Sequence, residues 1–191
     1  SDALDKFRYI SLTSGQNSGT DELRISIEPD KENRILTIRD NGIGMTHDEL
    51  VSNLGTIARS GSLDFLKKAQ QAGEKSNDLS LIGQFGVGFY SAFMLADRVE
   101  VVTRSSTEDN GWRWESTGDG TFSISEVSDP VVRGTSIRLH LKDGMEEFTE
   151  PTRLKYIVRK YSTFVPHAIY VESEHINDQP PIWVEPKNTL S

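Results

Sequence analysis

Hydrophobic residues recur along the chain with two different periods, and these periods predict the order of helices and strands. Near the start, Leu4, Phe7 and Ile10 recur every three residues, which indicates one apolar face of a helix. Two segments that alternate apolar and polar residues follow at 23–27 and 35–39. The polar, proline-containing run between them predicts an antiparallel hairpin. The chain is therefore expected to open with a helix and a hairpin.

The middle of the chain combines glycine turns with helix starts. Thr46 is followed three residues later by Glu49, which matches a capping box, so a helix is predicted to begin there. The glycine-rich run 83–91 predicts a turn that opens directly into a helix over the apolar run 91–96. Glycines and a polar run bracket residues 54–80. This segment is expected to move as a lid and to exchange its amide hydrogens faster than the hairpin.

Strand patterns dominate the second half of the chain. Four alternating segments predict a meander of short antiparallel strands: 99–103, 112–114, 121–127 and 134–141. A last helix is predicted to begin near Pro151. Its apolar face is predicted to consist of Leu154, Ile157, Val158 and Tyr161. With a final strand at 169–171, this order predicts an α+β fold, a two-layer sandwich with helices on one face of a mostly antiparallel sheet.

Composition narrows the classes of protein to consider. With 191 residues, 35% hydrophobic and 26% charged, the chain is typical of a globular domain, predicted over 1–177. The proline-containing tail 178–191 predicts a linker toward a middle domain. No apolar run approaches the roughly 20 residues of a membrane span, so no membrane partner is expected. The absence of cysteine and the scatter of four histidines argue against a protein-built metal site. The formal charge of −8 opposes binding of nucleic acid.

The glycine-rich run 83–91 is also a candidate phosphate site. Glycine lets a backbone come close to a ligand, and the free N–H groups at a helix start attract phosphate oxygens. The run lacks the Lys-Ser/Thr pair of a Walker A loop. Taken alone, the pattern is weak evidence for a phosphate site, because glycine turns before helices are common in purely structural roles.

Asp40 is the second candidate, because it ends a predicted strand and two glycines follow it. A carboxylate only accepts hydrogen bonds, so it suits a ligand with donors, such as the exocyclic amine of adenine. The residues expected to let a flat base approach and to cover it are Gly42, Gly44, Met45 and Leu54. Arg59 would add charge for phosphates from the lid. Ordinary turn chemistry is the alternative explanation of Asp-Asn-Gly.

Five motifs in order carry a resemblance to a known family. They are SDALDK at 1–6, DNGIGM at 40–45, NLGTIARSG at 53–61, GQFGVGFYSAF at 83–93 and RGT at 133–135. Together they resemble the N-terminal ATP-binding domain of the 90-kDa heat-shock chaperone family. Gyrase B, MutL and sensor histidine kinases share the Asp-x-Gly-x-Gly element but not the two long strings. The implied fold is the Bergerat, or GHKL, ATP-binding sandwich, in agreement with the α+β prediction.

The resemblance implies a role for each matching residue. Asp40 would hold adenine directly, and Thr135 would do so partly through water. The remaining implied contacts are Ala3, Met45 and Leu54 around base and sugar, Asn53 near the ribose, and Arg59 with the backbone of Gly86, Val87, Gly88 and Phe89 around the phosphates. The implied ligands are ATP and ADP, with Mg²⁺ accompanying the nucleotide in the full protein.

The resemblance also implies what the parent protein does. It would be a stress-response chaperone that couples ATP binding and hydrolysis to the folding of unfolded client proteins, as a homodimer. Arg59 and the tail favour a bacterial, cytoplasmic member, with a mitochondrial-matrix member as the alternative. The alternative functions are a non-hydrolysing nucleotide- or inhibitor-binding module and another GHKL-type ATPase domain.

A polypeptide of these 191 residues is predicted to hydrolyse ATP at or below background. In the family pattern, the Glu that positions the attacking water and the Asn that holds Mg²⁺ both precede Ser1, along with the first strand and helix. Phosphoryl transfer to water needs both groups, so no catalytic or metal-binding residue is assigned within the chain. A steady-state phosphate-release assay, with a longer chain as control, measures this. Robust turnover that a substitution within the 191 residues abolishes would overturn the assignment.

Overall fold

Eight strands form one sheet in the computed structural model, which describes residues 2–14, 22–55 and 88–178. The strands are β1 (Arg24–Asp30), β2 (Ile35–Asp40), β3 (Ala96–Arg104), β4 (Gly111–Ser116), β5 (Ser123–Val127), β6 (Gly134–Leu141), β7 (Ala168–Val171) and β8 (Glu174–His175). They lie in the order β5-β4-β3-β6-β2-β1-β7-β8. Neighbouring strands in this order are antiparallel except β1 and β7, which are parallel.

Short helices connect and cover these strands. The α-helices are α1 (Asp2–Ser14), α2 (His47–Leu50), α3 (Ala92–Leu95) and α4 (Pro151–Tyr161). A π-helical turn, Val51–Gly55, continues α2, and 3₁₀ turns at Gly88–Ser91 and Glu146–Thr149 precede α3 and α4. The predicted capping box is confirmed, because the Thr46 and Glu49 side chains each accept from the backbone N–H of the other. Pro151 begins α4 as predicted, where its missing N–H costs no helical hydrogen bond.

The hydrophobic core lies between the helices and one face of the sheet. The strands contribute buried residues that alternate along the chain, including Val99, Val101, Leu139 and Leu141. The helical segments contribute Leu50, Leu54, Phe93, Leu154 and Val158. Trp114 on β4 is fully buried and stacks on Phe122, with ring centroids 6.2 Å apart. This arrangement confirms the predicted α+β sandwich.

The opposite face of the sheet carries a buried charge network. Glu100 is only 5% exposed, and its carboxylate lies 2.6 Å from His140 Nε2 and 2.9 Å from an Arg98 nitrogen. Burial raises the pKa of Glu100. The hydrogen bond from His140 and the positive charges of Arg98 and Arg138 outweigh this effect, so the net pKa is lowered. A paired, hydrogen-bonded carboxylate is the form in which a charge tolerates burial.

Several element boundaries differ from the predictions. β1 extends through Pro29 and Asp30, which were predicted to lie in the hairpin turn, and the turn consists of residues 31–34. β3 begins at Ala96, so the apolar run 91–96 yields only the single turn of α3. Strand pairing accounts for both differences, because a ladder extends as long as its partner offers hydrogen-bonding groups.

Two predicted apolar helix faces are only partly buried. In α1, Leu4 is buried whereas Ile10 is 39% exposed. In α4, Leu154 and Val158 are buried whereas Tyr161 is 71% exposed, which corrects the predicted face at its last position. A helical period identifies the side of the helix that faces inward, but it does not show how far the neighbouring layer extends.

Three of the predictions concern segments that the structure describes only in part. Most of the predicted lid (54–80), the greater part of the glycine-rich run 83–91 and nearly all of the linker 178–191 lie outside the described residues. Among the residues that are described, no helix has the length and apolar character that crossing a membrane requires.

Replacing Trp114 by Ala should lower the free energy of unfolding by about 3–5 kcal/mol, because a fully buried indole leaves a cavity. Denaturant unfolding followed by circular dichroism measures the change. The neighbouring Arg113→Ala is the control, because Arg113 is exposed on the other face of β4. Equal losses of unfolding free energy in the two variants would show that the buried Trp114 side chain stabilises the fold no more than an exposed residue does.

Candidate functional site

Asp40 and Thr135 lie opposite each other where their strands meet. The register of β2 and β6 pairs Asp40 directly with Thr135, and the register of β3 and β6 pairs Thr103 with Thr135. Side chains alternate between the two faces of a sheet, so these three project from the face that carries the core. Three adjacent strands therefore place one carboxyl and two hydroxyl groups side by side.

The Asp40 carboxyl is partly buried, and its surroundings leave one oxygen open. The backbone N–H of Gly42 donates to Oδ1 over 2.9 Å. Burial raises the pKa of Asp40, and the hydrogen bond from Gly42 offsets only part of that effect. Within the described part of the chain, no group donates to Oδ2. That oxygen is therefore available to accept a hydrogen bond from a ligand.

The turn that follows β2 is held between α1 and β3, and glycine is needed at two of its positions. A Cβ atom at Gly42 would lie 2.7 Å from the backbone of Ala3, and the Ile43 N–H donates to the Ala3 carbonyl over 3.0 Å. Gly44 has a φ of +69°, and a Cβ atom there would collide with the backbone of Arg104. At both glycines the close approach is therefore made by the protein's own backbone, whereas the approach of a flat base stays a prediction.

The hydroxyl group of Thr103 ties this turn to the sheet. Thr103 is fully buried, and its Oγ1 lies 2.9 Å from the Gly134 carbonyl oxygen and 3.0 Å from Thr135 Oγ1. It also accepts a hydrogen bond from the Met45 N–H over 3.0 Å. Gly134 itself has a φ of +117°, and a Cβ atom there would collide with the Asp40 carbonyl. One hydroxyl group thus connects β3, β6 and the turn.

The structure brings together part of the predicted site. The residues that lie around the turn and the paired strand ends are Ala3, Asp40, Gly42, Gly44, Met45 and Thr135. Leu54 is buried in the core and Asn53 is exposed beside it. Gly88 begins a 3₁₀ turn, and the Phe89 ring packs edge-on against Trp114 at 5.6 Å. The predicted phosphate contacts Arg59, Gly86 and Val87 lie outside the described residues.

Sequence reasoning missed two residues that shape this site. Asn41 Oδ1 accepts from the Arg24 N–H over 2.8 Å, and its Nδ2 donates to the Glu22 carbonyl over 2.8 Å. Its position directly after a predicted strand end was the available signal. Thr103 gave no such signal, because threonine within a strand pattern satisfies β propensity without indicating a role.

Comparison with known proteins agrees with the motifs. The model of the family described as "Histidine kinase-, DNA gyrase B-, and HSP90-like ATPase" matches residues 13–150. A chaperone protein HtpG from Desulfitobacterium hafniense (strain Y51) is 50% identical over 193 residues, which is 100% of this chain and 31% of that protein. An HtpG from Fusobacterium nucleatum subsp. nucleatum is 47% identical over 192 residues, 99% of this chain and 31% of the relative. An endoplasmin homolog from Hordeum vulgare is 51% identical over 176 residues, 90% of this chain and 21% of the relative.

These matches confirm the predicted resemblance to the 90-kDa heat-shock chaperones. The three relatives are also much longer than this chain. The chain spans between 21% and 31% of the length of these three curated relatives.

Replacing Asp40 by Asn should stabilise the ligand-free fold at neutral pH. Because burial raises the pKa of Asp40, the charged carboxylate disfavours the folded state above that pKa. Wild-type stability should therefore rise as the pH falls through the raised pKa, until the pH reaches the ordinary value of 3.8. The gain from Asp40→Asn, measured by urea unfolding at several pH values, should be largest near neutrality and shrink on acidification.

Asp30→Asn is a control that should change the stability of the fold in the opposite direction. The Asn33 side chain and backbone both donate to Asp30, and these hydrogen bonds lower its pKa. Its substitution should therefore destabilise the fold at neutral pH. The loss should shrink as the pH falls below the ordinary pKa of 3.8 and vanish below the lowered pKa of the folded state. A pH-independent effect of Asp40→Asn would show that burial of its charge does not govern this position.

Proposed function

We propose, from the premise that this chain belongs to the family of histidine kinase-, DNA gyrase B- and HSP90-like ATPases, that it is the adenine-nucleotide-binding domain of a molecular chaperone. Membership in an ATPase family implies nucleotide binding. The relatives named chaperone protein HtpG and endoplasmin homolog support the chaperone branch of the family. Because the chain spans about a third or less of their length, the activity and partners of a whole protein belong to the proposal.

The observation that carries the proposal is the half-satisfied carboxyl of Asp40. Oδ1 accepts from Gly42, and no described residue donates to Oδ2, which we assign to the exocyclic amine of adenine. Guanine has a carbonyl at the corresponding position and would leave two acceptors facing each other. An unpaired buried acceptor costs about 1–3 kcal/mol, enough to select one purine over the other.

The turn beside Asp40 is held in one shape by its neighbours. The backbones of Ala3 and Arg104 occupy the space that side chains at Gly42 and Gly44 would fill. Contact of a flat base with Ala3, Gly42 and Gly44 is part of the proposal. We assign Thr135, Met45 and Leu54 to the remaining contacts with the base and sugar, and Asn53 to the ribose. Arg59 and the backbone of Gly86, Val87, Gly88 and Phe89 are assigned to the phosphates, as the family resemblance implies.

Mg²⁺ would arrive with the nucleotide. Among the described residues, no group of three His, Asp or Glu side chains could hold a metal ion. Mg²⁺ commonly binds through nucleotide phosphates and water with only one or two protein ligands. No described residue is assigned to the ion, and no step of the mechanism is assigned to it.

The wider proposal concerns the whole protein. It would act as a homodimer that couples ATP binding and hydrolysis to the folding of unfolded client proteins during stress. We place it in the bacterial cytoplasm, with the mitochondrial matrix as the alternative. The division into a nucleotide-binding domain over 1–177 and a linker over 178–191 belongs to the same proposal.

Asp40→Asn should weaken the binding of ATP and ADP at least tenfold, because the added amide donor faces the amine of adenine, which is also a donor. Isothermal titration calorimetry measures both affinities, and a phosphate-release assay on a longer chain tests hydrolysis separately. Asp30→Asn, at the far end of β1, should leave both affinities unchanged. Since Asp40→Asn is expected to stabilise the fold, unfolding cannot account for lost binding. Unchanged ATP affinity in the folded Asp40→Asn variant would show that Asp40 shapes the turn and does not contact the nucleotide.

A further inference from the structure

We propose that the face of the sheet opposite the core binds an extended acidic segment of a second polypeptide. One arginine on each of three adjacent strands defines the part of this face that we call the arginine face: Arg24 on β1, Arg39 on β2 and Arg138 on β6. Asp40 and Thr135 project from the other face of the sheet, so the inference goes beyond the proposed function and does not depend on it.

A cavity of about 520 Å³ lies over the arginine face. Its polar lining includes the three arginines, Ser26, Ser136 and Glu28, which occupy alternate positions along their strands. The loop before β6 contributes Val131 and Val132, and Val132 is 84% exposed. The volume lies within the roughly 300–1,000 Å³ of ligand sites, and the lining offers cations, hydroxyl groups and apolar contacts.

The arginine face is basic, although the whole chain has a formal charge of −8. Glu28 is the acidic residue that lines the cavity together with the three arginines. Asp40 and Arg133 also border the cavity, but their opposite charges leave this balance unchanged. A local surplus of positive charge on an acidic protein favours a partner that carries negative charge.

Each of the three arginines retains donors for a partner. Arg24 lies 5.6 Å from the centre of the Tyr170 ring and makes no ion pair with a described residue. Arg39 lies 3.7 Å from Glu28, and Arg138 lies 3.8 Å from Glu100. Both distances exceed the roughly 3.2 Å limit of a good N–H···O hydrogen bond. The guanidinium groups can therefore still donate to the carboxylates of a ligand.

The spacing of the arginines favours an extended ligand. Arg39 pairs with Ser26 on one side and with Ser136 on the other. Arg24 and Arg138 each lie two residues beyond these serines, in opposite directions, so the three arginines form a diagonal line. Strand geometry gives about 8 Å for each step and roughly 16 Å for the whole line. One small anion cannot bridge this length, whereas about five residues of extended chain can.

The acidic residues among the arginines favour a peptide over a nucleic acid. Glu28 pairs with Thr37 beside Arg39, and Glu100 pairs with Arg138. A nucleic acid carries a negative charge at every phosphate and would place some of these charges against the two glutamates. A peptide can place carboxylates opposite the arginines and neutral residues opposite the glutamates.

The test measures the binding of a fluorescein-labelled peptide to this chain by fluorescence anisotropy. The peptide has about nine residues and alternates glutamate with threonine, so that its carboxylates project about 7 Å apart on one side of an extended chain. It should bind at least tenfold more tightly than the same peptide with glutamine in place of glutamate. Arg39→Gln should weaken binding of the acidic peptide roughly tenfold, the equivalent of one charge-assisted hydrogen bond.

Arg153→Gln is the matched control, because Arg153 is also an exposed arginine with one glutamate partner but lies on α4. It should leave the affinity unchanged. Arg39→Lys keeps the charge but not the planar group of donors, so it should lose less affinity than Arg39→Gln. Circular dichroism checks that each variant is folded. Should Arg39→Gln not fold, Arg24→Gln makes the same comparison at an exposed position.

Three results would overturn the inference. One is equal affinity of the acidic peptide for the wild type and for the folded Arg39→Gln and Arg24→Gln variants. Another is equal binding of the glutamate and glutamine peptides, which includes the case in which neither binds. The third is an equally tight, Arg39-dependent complex with inorganic phosphate or with a short single-stranded oligothymidylate, which would indicate a general anion site.

Discussion

The cost of burying a carboxylate is the constraint on which the rest of this site depends. Asp40 stands at the end of a central strand, on the face that also carries the hydrophobic core, and its pKa is raised by that burial. Hydrogen bonds must compensate a charge in this position, and the described part of the chain supplies one, from Gly42. A ligand that donates to the other oxygen would complete the pairing. Burial of this charge would then favour such a ligand and lower the stability of the fold without it.

Meeting that constraint requires the turn after β2 to be held in one conformation. Contacts from α1 and β3 close around it, and α1 is itself fixed at two further points. Asp5 lies 2.8 Å from His167 Nε2, and the Arg133 guanidinium lies 3.5 Å above the ring of Phe7. Arg133 also donates to the Asn41 carbonyl over 3.0 Å, so one side chain links the helix, the turn and the start of β6. A turn restrained from so many sides is pre-organised for a ligand.

Local sequence signals predicted the local elements well. The capping box at Thr46 and the bounds of the strand 134–141 agree with the structure, and Asp40 is at a strand end as expected. These local signals do not predict which strands are neighbours in the sheet. The pairing of Thr103 with Thr135, and the parallel pairing of β1 with β7, depend on which distant strands lie side by side. Periodicity within one segment contains no such information. The family motifs therefore supplied the residues of the proposed pocket, but the hydrogen bonds of Thr103 were not predicted.

The strand order also determines when the pocket can form as the chain leaves a ribosome. β2 ends at Asp40, whereas its outer neighbour β6 begins at Gly134, and β7, which covers the far side of β1, begins at Ala168. The hairpin of β1 and β2 therefore emerges early with two open edges, and both edges wait for partners made much later. Until β6 arrives, Asp40 has no Thr135 beside it, and nucleotide cannot assist folding. Between the synthesis of β2 and that of β6 and β7, the hairpin is thus exposed to edge-to-edge association before the proposed site can form.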